Sequence, residues 1–179
     1  DTLPDLIEPK DLAGIFHSHT TWSDGTASLV AMAEKARSMG LKYMGLSDHS
    51  KAAFYANGLD EVRLARQHEE VEKLNRKHRG FRIYHGMECD ILPDGSLDLD
   101  DEWLKKLDFV IGSIHSRFDM SEEEMTARVC RAIGHPHLTI YGHATGRLLL
   151  NREPFRIDLH RVIQAAKEHG KVIELNANP

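Results

Sequence analysis

Apolar positions along the chain come in short blocks separated by longer stretches of mixed character. The blocks at 13–16, 43–46, 81–87, 109–114, 138–141 and 172–175 are too short for helices and rich in Ile, Val, Phe and Tyr, which predicts six strands. The stretches between them repeat at helical spacing. Leu29, Met32, Ala33, Ala36 and Met39 lie on one face of a helix over 28–39 that Gly40 stops. A longer helix is predicted over 59–78, a short one over 101–107, and others over 122–133 and 158–169. Ser121 and Glu124 make a capping box for the fourth, and Gly170 ends the fifth. Residues 1–10 are a polar lead-in, and Leu92-Pro-Asp-Gly-Ser96 is turn chemistry. Strand followed by helix, repeated in this way, implies parallel strands joined by right-handed crossovers.

Each strand ends in a residue that can bind a metal or a polar ligand. His17 and His19 stand at the end of the first, Asp48 and His49 at the second, and Glu88 at the third. His115, His143 and Asn176 end the remaining three. In parallel β/α architectures the carboxyl ends of the strands are where sites are built. Two residues apart on a strand, His17 and His19 are expected to project side by side, with Asp24 five residues on in the turn Ser23-Asp24-Gly25. Imidazoles mixed with carboxylates suit Zn, Mn or Fe, whereas Mg and Ca prefer oxygen alone.

Composition narrows the classes. With 23 basic and 28 acidic residues the net charge is −5, which gives no global footprint for nucleic acid and leaves room for a local basic patch. Histidine is abundant, 12 residues against 2 cysteines. Cys89 and Cys130 are too few for a disulfide framework or a thiolate zinc site, and they fit a reducing, cytoplasmic setting. No apolar run approaches the roughly 18 residues of a membrane span. Residues 1–179 are expected to form a single domain. A first residue other than Met and a last pair Asn178-Pro179 suggest a piece of a longer chain.

Taken together, His17-Ser-His19 with Ser23-Asp24-Gly25, Asp48-His49-Ser50, Gly86-Met-Glu88, Ser113-Ile-His115 and Gly142-His143 resemble the motifs of a PHP (polymerase and histidinol phosphatase) domain. That resemblance implies an α/β fold, a distorted seven-stranded β/α barrel. The segments Asp90-Ile-Leu-Pro-Asp-Gly-Ser-Leu-Asp98, Thr145-Gly-Arg-Leu-Leu149 and Glu174-Leu-Asn-Ala-Asn178 resemble the PHP domain of bacterial family-X DNA polymerases, where it supplies a metal-dependent 3′–5′ exonuclease. By the same resemblance His17 and His19 hold one metal, and Glu88 bridges it to a second held by His115 and His143. Asp24 and His49 join a third position, for about two to three ions in all. Two departures stand out. The family's last motif, an Asp-x-His after a seventh strand, has no counterpart here, which leaves the barrel short of a strand and with open edges prone to association. Ala144 also stands where the polymerase-linked domains show proline.

The chemistry of the residues agrees with the resemblance. Two ions bridged by a carboxylate lower the pKa of a bound water toward 7, supply a hydroxide nucleophile, and hold phosphate oxygens. No Ser or Cys nucleophile is required, and no G-x-S-x-G or phosphate-loop pattern occurs. The expected reaction is therefore phosphoester hydrolysis, with a DNA 3′ end as substrate and Glu88, His49 and Arg147 as the catalytic set. A small phosphate monoester is the variant within that class, and a non-catalytic structural module of a linked polymerase is the rival. Arg147 and Arg117 are each either a phosphate clamp or a surface ion-pair residue. Asp48 is expected as the acceptor behind a ligating imidazole. Trp22 packs over the barrel mouth or stacks on a base. His68, His78, His85, His135, His137, His160 and His169 carry no such pattern and read as surface or core residues. The charged face of the second helix (Glu61, Arg63, Arg66, Glu69, Glu70, Lys73) reads as solvated surface.

Overall fold

The computed structural model describes residues 4–176, so Ala177, Asn178 and Pro179, the end of the last polymerase-like segment, lie outside the described residues. One parallel sheet runs in strict sequence order through β1 (Gly14–Ile15), β2 (Tyr43–Leu46), β3 (Arg82–Asp90), β4 (Phe109–Ser113), β5 (Ile140–Tyr141) and β6 (Val172–Ile173). Neighbouring strands lie about 4.8 Å apart, so a flat sheet of six would hold its outer strands roughly 24 Å from each other. Yet His17, just after β1, reaches Glu174, just after β6, at 2.6 Å. The sheet therefore curls into a barrel-like cup. Six strands are present among the described residues, and β1 and β6 are not paired with each other, as expected for such a barrel short of one strand.

The crossovers carry α1 (Leu29–Ser38), α2 (Glu61–Lys77), α3 (Asp101–Leu104), α4 (Glu122–Ile133) and α5 (Leu159–His169). Side-chain caps start four of them. Ser28, Asp60, Ser121 and Asp158 each accept a hydrogen bond from a first-turn N–H, worth about 1 kcal/mol apiece. Several strands are shorter than the apolar blocks suggested, and α3 is a single turn. β3 is longer, because it changes partner half-way. Its first half pairs with β2 up to Leu46↔His85, and its second half pairs with β4 from Gly86↔Phe109 to Asp90↔Ser113. Glu88 consequently lies within the strand rather than after it.

Alternation along β2 and β3 separates two environments. Met44, Leu46, Ile83, Met87 and Cys89 face the helices and are buried in the two apolar clusters that form the core. Gly45, Tyr84, Gly86 and Glu88 face the cup. At its amino end the cup is floored by aromatic rings, with Phe16 edge-on to Phe109 at 4.9 Å and beside Tyr84 at 6.0 Å. Gly45 and Gly86 make room for this floor: a Cβ on either would run into the Phe109 ring. At the carboxyl end of the cup sits Glu88.

Candidate metal centre

The segments that follow β1, β2, β4 and β5 converge on one carboxylate of β3. Glu88 is 1% exposed. His17 Nε2, His115 Nε2 and His143 Nε2 lie 3.0, 3.4 and 2.9 Å from its Oε1, and His19 Nε2 and His49 Nδ1 lie 3.3 and 3.1 Å from its Oε2. A carboxylate oxygen offers two lone pairs, so three imidazole nitrogens on Oε1 exceed what hydrogen bonding alone accommodates. His49 Nδ1, buried and close to Oε2, is not aligned to hydrogen-bond it and has no other hydrogen-bond partner among the described residues. A ligand set of this kind, with an orphaned buried nitrogen, fits divalent cations. Three groups of side chains bring one ligand atom each within 4.8 Å of the others: His17 with Glu88 and His143, His49 with Glu88 and His115, and His19 with Asp24 and His49. All seven residues singled out in the sequence as metal candidates therefore meet here. The grouping differs from the one the resemblance implies, since His17 sits with His143 and His19 with Asp24.

Local geometry departs from the simple strand picture at the first motif. β1 stops at Ile15, and His17 takes a left-handed backbone at φ +58°. His17 and His19 are thus not neighbours on an extended strand. Their rings still stack, 5.6 Å apart. His143 also has a positive φ, +24°. Such conformations cost on the order of 1–3 kcal/mol each and persist where surrounding contacts fix them. At His17 those contacts are carboxylates on both ring nitrogens.

Second carboxylates orient the imidazoles. Glu174 meets His17 Nδ1 at 2.6 Å and accepts the His143 backbone N–H at 2.6 Å. Asp90 pairs with His115 Nδ1, and Asp24 lies 3.2 Å from His19 Nδ1. With the outer nitrogen engaged in this way, the Nε2 lone pair of each ring is directed inward. In the sequence Glu174 and Asp90 stood only as members of the polymerase-like segments, with no site role. Asp90 was accessible, being two residues from Glu88 on the same strand face. Glu174 was obscured because the apolar block runs on to Leu175, which directed attention to Asn176. That residue also lines the cleft.

Asp48 corrects an expectation. Among the described residues its carboxylate meets no imidazole. Fully buried, it accepts hydrogen bonds from the Thr20 N–H and O–H, the Ser23 O–H and the Gln67 amide, at 2.6–2.7 Å. It therefore fastens the turn that carries His19 and Asp24. The reason is chain geometry: Glu88 donates its N–H to the Asp48 carbonyl, which places the side chain beside residues 20–23. The charged face of α2 is also less idle than its pattern suggested. Glu70 accepts from Trp22 Nε1 at 2.7 Å, and Arg63 donates to the Trp22 carbonyl. Trp22 is thereby held against the core.

Electrostatics follow from the crowding. Burial favours neutral forms, yet for His17 the carboxylates of Glu174 and Glu88 outweigh it and raise the imidazole to about 10. At His115 Asp90 and Glu88 do the same, to about 9. His19 is raised against burial by Glu88 and Asp24, while His49 is lowered by burial. Burial would raise Glu88, but its imidazole partners hold it well below the ordinary carboxylate range. In the absence of cations, protons take their place around this anion.

The cluster opens into a cleft of about 600 Å³ whose walls include Tyr55, Arg147, Arg152 and Glu174. Arg147 is exposed and makes no hydrogen bond or ion pair among the described residues. Arg117 is not among the residues lining the cleft, and its exposed side chain lies 3.8 Å from Asp119. Arg152 was not anticipated. Its Nε donates to the Gly146 carbonyl at 2.7 Å and its guanidinium lies over the Phe118 ring at 4.3 Å.

The sequence profile of the PHP domain matches residues 16–178. The chain belongs to the PHP family. This PHP domain is 43% identical over 175 residues to the DNA polymerase/3′-5′ exonuclease PolX of Bacillus subtilis strain 168, an alignment covering 98% of this chain and 31% of that protein. A probable phosphatase of Acetivibrio thermocellus is 33% identical over 164 residues, covering 89% of this chain and 63% of the relative. The chain thus spans less than two thirds of either relative. The fold matches the crystal structure of histidinol phosphate phosphatase from Lactococcus lactis, complexed with zinc, L-histidinol and phosphate. The TM-score is 0.61 at 16% identity, covering 92% of this chain and 73% of that one. Among the described residues no helix is long and apolar enough to cross a membrane.

Proposed function

We propose that this PHP domain is a metal-dependent phosphoesterase that hydrolyses DNA phosphodiesters from the 3′ end. The observation that carries the reading is the convergence of five imidazoles on the buried carboxylate of Glu88, at the base of an open cleft. His17, His19, Asp24, His49, Glu88, His115 and His143 would hold divalent ions, with zinc, manganese or iron the metals this donor set suits. When bound, such ions supply Lewis acidity toward phosphate oxygens and lower the pKa of water for attack at neutral pH.

The chain's own residues supply the rest. Glu88 and His49 fix the spacing of the inner ligand atoms. Glu174, Asp90 and Asp24 hold the outer imidazole nitrogens of His17, His115 and His19 so that the inner ones face the ion positions around Glu88. Arg147, on the cleft wall and with no partner of its own among the described residues, would hold a non-bridging oxygen by paired N–H donors.

The DNA substrate is supported by the 43% identity to PolX, an exonuclease by name. The same alignment supports residues 1–179 as a single module working beside a covalently linked polymerase domain. The phosphatase relative makes a small phosphate monoester the competing substrate. A test is Mn²⁺-dependent hydrolysis of a 3′-labelled single-stranded oligonucleotide beside a small phosphate monoester, using wild type and His17→Ala/His19→Ala. Release of the 3′ label by wild type alone supports the proposal. Turnover of the monoester only reassigns the substrate, and equal inactivity of both proteins with bound metal would favour a structural module.

A further inference from the structure

Few aromatic side chains of this protein stand in solvent. Phe54, at 84% exposed, and Tyr55, at 62%, do so next to each other on the segment between β2 and α2. Large exposed rings on a mobile loop would be unremarkable, but this segment is fastened from several sides. It folds as a one-turn 3₁₀ helix (Phe54–Ala56) between the buried Ala53 and Ala56. The Ala52 N–H donates to the buried Asp98 carboxylate at 2.8 Å, and Asp98 also accepts from the Ser50 hydroxyl. Asn57, left-handed at φ +56°, closes the turn and donates to the Trp22 carbonyl at 3.2 Å. Phe54 meets Tyr55 edge-on at 5.9 Å and braces it. The result is an aromatic ring presented to solvent on a rigid mount.

Its position gives the ring a use. Tyr55 lines the same cleft as Glu88, and its ring centre is 6.5 Å from that of His49. The cleft's cations, Arg147 and Arg152, come from the segment after β5, on the other side of the curled sheet from β2. Aromatic face on one wall, guanidinium groups on the other and a phosphate-directed cluster between them match the three parts of a nucleotide: base, backbone charge and phosphate.

We propose that Tyr55, braced by Phe54, is a stacking platform for the base of the 3′-terminal nucleotide and so selects a nucleic-acid end over a small phosphate ester. The inference rests on the phosphoesterase reading above and adds a specificity residue to it. Stacking on an aromatic face tolerates any base, as removal of successive nucleotides demands.

The test uses a single-stranded oligonucleotide ending in 2-aminopurine, whose fluorescence is quenched by stacking. Its last linkage is a phosphorothioate to slow turnover, and a second oligonucleotide carries the probe several positions inward. Wild type, Tyr55→Phe, Tyr55→Ala and Phe54→Ala/Tyr55→Ala are compared at equal metal loading. The platform predicts quenching of the terminal probe by wild type and Tyr55→Phe. It predicts loss of that quenching, with affinity weaker by about tenfold, for Tyr55→Ala. Affinity of Tyr55→Ala within twofold of wild type with quenching retained, quenching of the inward probe alone, or no binding by wild type would each overturn it. Quenching by a wild type that then fails to cleave the ordinary linkage would retain the platform while removing the exonuclease reading. Tyr55 is mostly exposed and outside the core, so circular dichroism and metal content of the variants should match wild type.

Discussion

The two faces of β3 hold buried histidines and treat their charge in opposite ways. On the cup face, around Glu88, His17 and His115 are pushed up to about 10 and about 9. On the helix face His85, 3% exposed, is pushed down to about 3. Burial is similar for these three, so among them the carboxylates decide; His49, also on the cup face, is lowered by burial despite Glu88 and Asp24 nearby. The cup-face imidazoles have one or two anions each, whereas His85 faces the amide of Gln67 at 3.0 Å and the ring of His68 at 3.1 Å. Gln67 spends its Nε2–H on Asp48 and so accepts from His85 Nε2, which leaves His85 Nδ1 to accept from His68. A hydrogen-bonded chain therefore runs from His68 through His85 and Gln67 to Asp48, behind the turn that carries His19 and Asp24. One face is built to take cations and the other to hold its place without them.

The substitution that should disturb this contrast most is at Glu88. Glu88→Gln keeps the shape and removes the anion all five imidazoles share. Phosphoester hydrolysis should fall on the order of 10³-fold, with bound metal lost in parallel. Retained activity would show that the cluster is not organised by this charge.

Smaller losses are expected from the carboxylates behind the imidazoles. Glu174→Gln and Asp90→Asn should each weaken metal affinity by about 10–100-fold while leaving the fold intact, as read by competition with a chelator. Equal affinities for wild type and both variants would mean that these groups only support the backbone.

On the opposite face, His85→Leu should cost about 1–3 kcal/mol in denaturant unfolding, because Gln67 Oε1 loses its donor inside the protein. Metal content should not change. A protein that loses metal with His85 would show that the two faces are not separate.

A subtler difference between the faces should appear with pH. His85 has a folded value below its unfolded one, so the stability it confers is complete above about 6.5 and is lost as pH falls from there toward 3. The slope is at most about 1.4 kcal/mol per pH unit. His85→Leu should flatten the acid limb of the stability curve accordingly. The metal-free cup behaves in the reverse sense: His17 and His115 have raised values, so their contribution is complete below about 6.5 and is lost as pH rises through 9–10. Stability of the chelated protein should therefore decline on the alkaline side, and parallel curves for the loaded and chelated proteins would contradict the assignment.

The fold was legible in the order of apolar blocks because parallel strands buried under helices must read as short apolar runs. The candidate site was legible because most of the side chains gathered around Glu88 lie just beyond the end of a strand, a regularity that distance along the chain preserves. What the sequence hid were contacts between distant segments. Glu174 gained its role from the curl that brings β6 to β1. Asp48 was drawn away from the imidazoles by Thr20, Ser23 and Gln67, a set of donors from separate elements. The first His pair was read as a strand, but the chain turns left-handed at His17 so that both of its nitrogens meet carboxylates. Tyr55 carried no pattern at all, since a single exposed ring differs from others only by what lies next to it in space.

The most direct measurement is elemental mass spectrometry of metal per chain, on wild type and Glu88→Gln purified without chelator or affinity tag. The geometry predicts about two or more equivalents of zinc, manganese or iron on wild type, as a shared carboxylate requires, and well under one on the variant. Folded wild type without metal, or a variant that keeps it, would contradict Glu88 as the centre on which this protein is built.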